Sequence, residues 1–133
     1  MATFQLDIVT PEKTVYSGDV EQVQAPGVDG GFGVLSRHQP MLAALAIGLV
    51  AFTQADGVSQ KLAISGGFAN VGREGMTVLA ETAETAEEID IARAQAARDR
   101  ARGRLSDRDG IDSERAQAAL SRSLWRLRVC GSE

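Results

Sequence analysis

Near residue 85 the chain changes character, and that break constrains its fold more than any other feature. Residues 1–84 hold eleven of the fourteen glycines, and their apolar side chains tend to alternate with polar ones. Residues 85–133 hold the other three glycines in a background rich in Ala and Arg. A Gly-punctuated, β-branched segment predicts an antiparallel β-sandwich or barrel over residues 1–84. The Ala-rich remainder predicts an antiparallel two-helix hairpin over residues 85–133, so the fold class is α+β. An Ala-faced hairpin can pack on a β body and can also leave it. The break is therefore where a moving part would begin.

The charge divides at nearly the same place. Formal net charge is −4, but residues 1–88 carry a net of −7 and residues 89–133 a net of +3. An acidic body and a basic tail attract each other and can each seek other partners. All ten basic residues of the tail are Arg, the side chain suited to bidentate pairing with carboxylate or phosphate. An exposed helix pair laced with salt bridges accounts for the same pattern. A single cysteine, Cys130, forms no internal disulfide and points to a reducing compartment. The first residues show no basic or apolar leader pattern. The longest apolar run, 41–52, is interrupted by Gly48 and is too short to cross a bilayer, so direct membrane insertion is not expected.

Strands are predicted over residues 4–8, 14–17, 20–25, 32–35, 42–47, 49–53, 61–65, 68–71 and 76–80, with turns at Gly18-Asp19, Gly48, Gly66-Gly67 and 72–75. Asp56-Gly57 is a two-residue hairpin signal. Thr85-Ala86-Glu87-Glu88 reads as a capping box that opens the first helix. That helix carries the stripe Ile91, Ala94, Ala97 or Arg98, Ala101 and Leu105. Residues 106–112 read as the turn, with Asp112 or Ser113 as the second cap, and Ala116, Leu120, Leu124 and Leu127 form the matching stripe.

A catalytic set is hard to assemble. One histidine, His38, and one terminal cysteine offer neither a nucleophile–base pair nor a common zinc site. His38 reads best as a residue hydrogen-bonded in a loop or interface. No Gly-Lys pair of a phosphate loop occurs, and Gly31-Phe32-Gly33 lacks the βαβ context of a dinucleotide fingerprint. Trp125 is the one aromatic of the Arg-rich tail, so the basic-plus-aromatic pattern of nucleic-acid binding is missing.

One constellation remains. On an ideal helix Arg93 and Arg100 lie about 20° apart, with Asp90 within about 80° of both. Two guanidinium groups beside a carboxylate can hold a polyphosphate and a ribose or amino group. Arg122 and Arg126, one turn apart on the second helix, can close over the same ligand. An Asp90–Arg93 surface ion pair is the plainer reading of that spacing.

Four motifs then become recognisable: Leu6-Asp7-Ile8-Val9-Thr10-Pro11-Glu12; Gly30-Gly31-Phe32-Gly33-Val34-Leu35 with His38-Gln39-Pro40; Ser65-Gly66-Gly67-Phe68-Ala69-Asn70-Val71; and Thr77-Val78-Leu79-Ala80-Glu81-Thr82-Ala83. Together with the helical tail they resemble the epsilon-subunit family of bacterial F-type ATP synthases. The resemblance implies a non-catalytic rotor-stalk subunit at the cytoplasmic face of the bacterial inner membrane. It implies a sandwich that binds the gamma subunit through one face and the membrane c-ring through loops at one end, coupling proton flow to ATP synthesis. On this chain residues 28–38 would face the ring, with Gly31, Phe32 and His38 as candidates. For Phe32, a buried strand residue is the plainer reading. The segment Ile89-Asp90-Ile91-Ala92-Arg93-Ala94 resembles the family's ATP-recognition motif. That implies a regulatory ATP site at Asp90, Arg93, Arg100, Arg122 and Arg126, with a hairpin that brakes hydrolysis when it extends toward the catalytic alpha/beta head.

Overall fold

A computed structural model describes residues 2–106 and 113–130. Seven strands come first: β1 (Phe4–Val9), β2 (Thr14–Gly27), β3 (Gly30–Leu35), β4 (Met41–Gln54), β5 (Ser59–Val71), β6 (Gly75–Ala80) and β7 (Ala83–Thr85). A single 3₁₀ turn, Ala86–Glu88, leads to α1 (Ile91–Ser106) and α2 (Ser113–Val129). The expected β-sandwich followed by two helices is present. Of the turn expected at 106–112, Ser106 instead ends α1; residues 107–112, with the Asp112 cap, and the tail beyond Cys130 lie outside the described residues, as does the side chain of Ser113.

The sheet runs β1-β6-β5-β4-β2-β3, and β1 also pairs with β2, so five strands close on themselves. β3 extends one edge from β2, and β7 adds to β5. One pairing departs from an all-antiparallel sheet: β1 runs parallel to β6, with Leu6 opposite Met76 and Ile8 opposite Val78. Alternation fills the interior. Leu6, Ile8, Val20, Val23, Val50 and Val78 are fully buried while their neighbours along each strand face outward.

Strand lengths differ from the sequence reading. Gly18, Gly48 and Gly66-Gly67 do not end strands; β2, β4 and β5 run through them for 14, 14 and 13 residues. A long strand that serves both layers must bend, and glycine is where it bends. Gly67, at φ +142°, is one such place: the β6 backbone passes so close that a Cβ would overlap the Leu79 carbonyl oxygen. Asp56-Gly57 does close the β4–β5 hairpin, with the Gly57 N–H donating to the Gln54 carbonyl at 2.9 Å.

The first helix also begins later than Thr85. Glu88 does reach back to the Thr85 N–H at 3.3 Å, but the turn it closes ends there. Ile89 returns to extended backbone, and α1 starts at Ile91. Its cap is Asp90, whose carboxylate accepts the Arg93 N–H at 3.1 Å. With the start displaced, Ile91 faces solvent rather than the seam; Ala94 and Ala101 are buried as expected.

The hairpin lies on the sandwich. A second, smaller apolar cluster joins Ala63 of β5, Ile89, Ala94 of α1 and Leu127 of α2, with Trp125, Val129 and Cys130 packed around it. The start of α1 meeting the end of α2 makes the two helices antiparallel. Trp125 sits over β4 at Gly48, beside Pro26. Cys130 is half-buried, with its thiol 3.6 Å from the Ala86 carbonyl.

Candidate functional site

A groove of about 400 Å³ opens where the two parts meet. Its walls are Glu84 of β7, Glu88 of the 3₁₀ turn, Asp90, Arg93 and Arg100 of the α1 end, and Arg126 of α2. Helical spacing brings Arg93 and Arg100 to one face, as expected. Four of the five residues predicted for a polyphosphate site therefore gather here. Arg122 is half-buried on α2 outside the groove lining.

Each carboxylate of the groove is already engaged. Glu84 Oε1 accepts from Arg126, 2.7 Å from Nη2 and 2.9 Å from Nε. Glu88 pairs with Lys13 at 2.9 Å. The Lys13 ammonium and the Thr85 backbone N–H hold the Glu88 carboxyl below the usual carboxylate range. Asp90 is spent on the helix cap, so it bonds the backbone of Arg93 and not its guanidinium. Arg93 and Arg100, both exposed, are thus left without a carboxylate partner among the described residues. Two such guanidinium groups on one wall have the donor chemistry to pair with an anion.

Sequence reasoning did not single out Glu84. Its signal was available: it lies within the Thr82-Ala83-Glu84 strand pattern just before the composition break. It also missed Trp125 as the hairpin's seat on the sandwich.

The other predicted cluster is dispersed. Residues 28–38 are not one loop, because β3 occupies Gly30–Leu35. Gly31 and His38 consequently lie toward opposite ends of that strand, separated by roughly 13 Å of extended chain before the final turn. Phe32 is half-buried, packed against the main core and over Gly27, which is the strand-residue alternative. His38 sits in the turn after β3, its Nδ1 2.7 Å from the Gln39 carbonyl.

Two family models cover nearly the whole chain. The ATP synthase delta/epsilon chain β-sandwich domain matches residues 3–86, and the long α-helix domain of the same chain matches residues 87–131. The chain belongs to the ATP synthase delta/epsilon family. It is 51% identical over 131 residues to the ATP synthase epsilon chain of Nitratidesulfovibrio vulgaris strain DP4, covering 98% of this chain and 97% of that one. The epsilon chain of Symbiobacterium thermophilum is 47% identical over 134 residues, covering 99% and 96%. That of Syntrophomonas wolfei is 44% identical over 129, covering 96% and 94%. A chain in the cryo-EM structure of Euglena gracilis mitochondrial ATP synthase (OSCP/F1/c-ring, rotational state 1) shares the epsilon fold. Its TM-score is 0.84 at 24% identity, covering 96% of this chain and 81% of that one.

Proposed function

We propose that this epsilon chain is a non-catalytic rotor-stalk subunit that binds the gamma subunit through its sandwich and meets the c-ring at one end, coupling proton flow to ATP synthesis. It would sit peripherally at the cytoplasmic face of the bacterial inner membrane. The observation that carries this reading is apolar surface on the closed barrel. Phe68 and Leu79 are cross-strand partners, yet 54% and 52% exposed, and Val9 flanks Leu79 across the parallel pairing. Adjacent large apolar side chains on a sheet face mark an interface. Val28 and Leu42, exposed where the β2–β3 turn meets the start of β4, suit the ring-facing end. Replacing Phe68 and Leu79 by Thr preserves strand propensity. The double variant is expected to keep its stability within about 1 kcal/mol and to bind purified gamma about tenfold more weakly, read by biolayer interferometry. Unchanged affinity would move the gamma interface to another face.

The groove favours a second, compatible reading: a regulatory site for ATP, with its phosphates on Arg93 and Arg100 and the hairpin as the responding part. Truncation after Glu88 removes both helices and leaves the sandwich. The catalytic head reconstituted with that form is expected to hydrolyse ATP several-fold faster than with the full chain. Equal rates would leave the coupling role alone.

A further inference from the structure

Of the ion pairs joining described residues, Arg126–Glu84 passes from a helix to the sandwich; Lys13–Glu88 and Arg98–Asp99 do not. Glu84 is fixed in β7 opposite Ala63 of β5, so it belongs to the β body. Arg126 lies in the last turn of α2. Two of the three guanidinium nitrogens, Nε and Nη2, converge on one carboxylate oxygen, and the two side chains are 30% and 28% exposed. The apolar contact beside this pair is thin, since two of its four buried members are Ala63 and Ala94. Alanine has little surface to bury. A half-buried, charge-assisted pair therefore adds to a docking otherwise carried by Trp125, Val129 and Leu127.

The pair also acts on its surroundings. Without Glu84, Arg126 would stand uncompensated in the same groove as Arg93 and Arg100. Like charges in a partly desolvated groove repel.

We infer that Arg126 and Glu84 form a built-in latch that holds the helical hairpin on the sandwich when the groove contains no ligand. Glu84 is the groove's own anion, neutralising one guanidinium and tying α2 to β7. The hinge follows from the second pair. Lys13 pins Glu88 to the β1–β2 turn, so the 3₁₀ turn stays with the sandwich and the hairpin swings from Ile89 and Asp90. The latch shares Arg126 with the expected nucleotide site, but its contact is made between side chains of this chain and needs no ligand. It is an ionic fastening, so salt weakens it.

Trp125 is the one tryptophan of the chain and rests half-buried on β4, which makes its fluorescence a native reporter of docking. Acrylamide quenching of the full chain, in low salt and in 1 M NaCl, tests the latch. Glu84→Gln and Arg126→Gln are each expected to raise the quenching constant about twofold in low salt. The wild type is expected to approach their value only in high salt. Lys13→Gln acts on the sandwich side of the hinge and should behave as wild type. Exchanging the charges, Glu84→Arg with Arg126→Glu, should restore low quenching. Single variants that quench like the wild type overturn the latch. So do single variants that expose Trp125 without rescue by the exchange, which would make the two side chains packing elements only. Circular dichroism of every variant identifies any that has lost its sandwich, and the exchange variant then decides.

Discussion

Gly67→Ala is expected to destabilise the sandwich by about 3–5 kcal/mol, in the range reserved for a backbone position that admits no side chain. The residue holds φ +142°, and a Cβ there would overlap the Leu79 carbonyl oxygen and stand 2.9 Å from the Ala80 Cα. Those neighbours are backbone, not the end of a flexible side chain. They belong to β6, which is held by β5 on one side and β1 on the other, so it cannot retreat without breaking a ladder. Two other glycines calibrate the effect. Gly57 also has a positive φ, +89°, but open space where a Cβ would go, so Gly57→Ala should cost only about 1 kcal/mol. Gly103 lies in α1 with equally open space, and Gly103→Ala should stabilise the chain by about 0.5–1 kcal/mol. Urea denaturation of the three variants reads all three values. A Gly67→Ala cost no larger than that of Gly57→Ala would mean that β6 moves more freely than its two ladders allow.

The second large effect concerns the proposed nucleotide site. Arg93→Ala combined with Arg100→Ala is expected to lower ATP affinity at least about 100-fold, as two charge-assisted contacts of roughly 1.5–3 kcal/mol each are removed. Neither guanidinium has a carboxylate partner among the described residues, so their loss takes nothing from the docked hairpin. The Asp90 cap survives as well, because it uses the Arg93 backbone N–H. Titration calorimetry on the full chain should therefore lose its ATP signal while Trp125 fluorescence without ligand stays as in the wild type. Undiminished ATP binding would remove Arg93 and Arg100 from the site.

Much of this architecture is readable in the order of residue types. Alternation in Phe4–Val9, the Asp56-Gly57 turn and the Ala stripes are local signals, and local signals survive translation into structure. What stayed hidden depends on partners distant in sequence. Gly48 and Gly67 look like turn residues in a linear string; their use as bends becomes visible only when a second strand is laid beside them. Thr85 and Glu88 satisfy a capping pattern, but the returning Asp90 and Ile89 make the cap serve one turn and start the helix afresh. The groove shows the same division. Periodicity places Arg93 and Arg100 together, because both lie on one helix. It says nothing of Glu84, which meets Arg126 from 42 residues away.

The parallel pairing of β1 with β6 sets the order in which this chain acquires its shape. Leu6 is matched with Met76, 70 positions later, so the barrel cannot close while that segment is still being synthesised. Such distant closure is slow compared with helix formation. The N-terminal strand waits on β2 alone, with one edge open, until β6 emerges. The helices come last, and the surface on which they settle exists only after closure. An epsilon chain stalled short of residue 80 would therefore expose a bare strand edge, an invitation to pair with another chain.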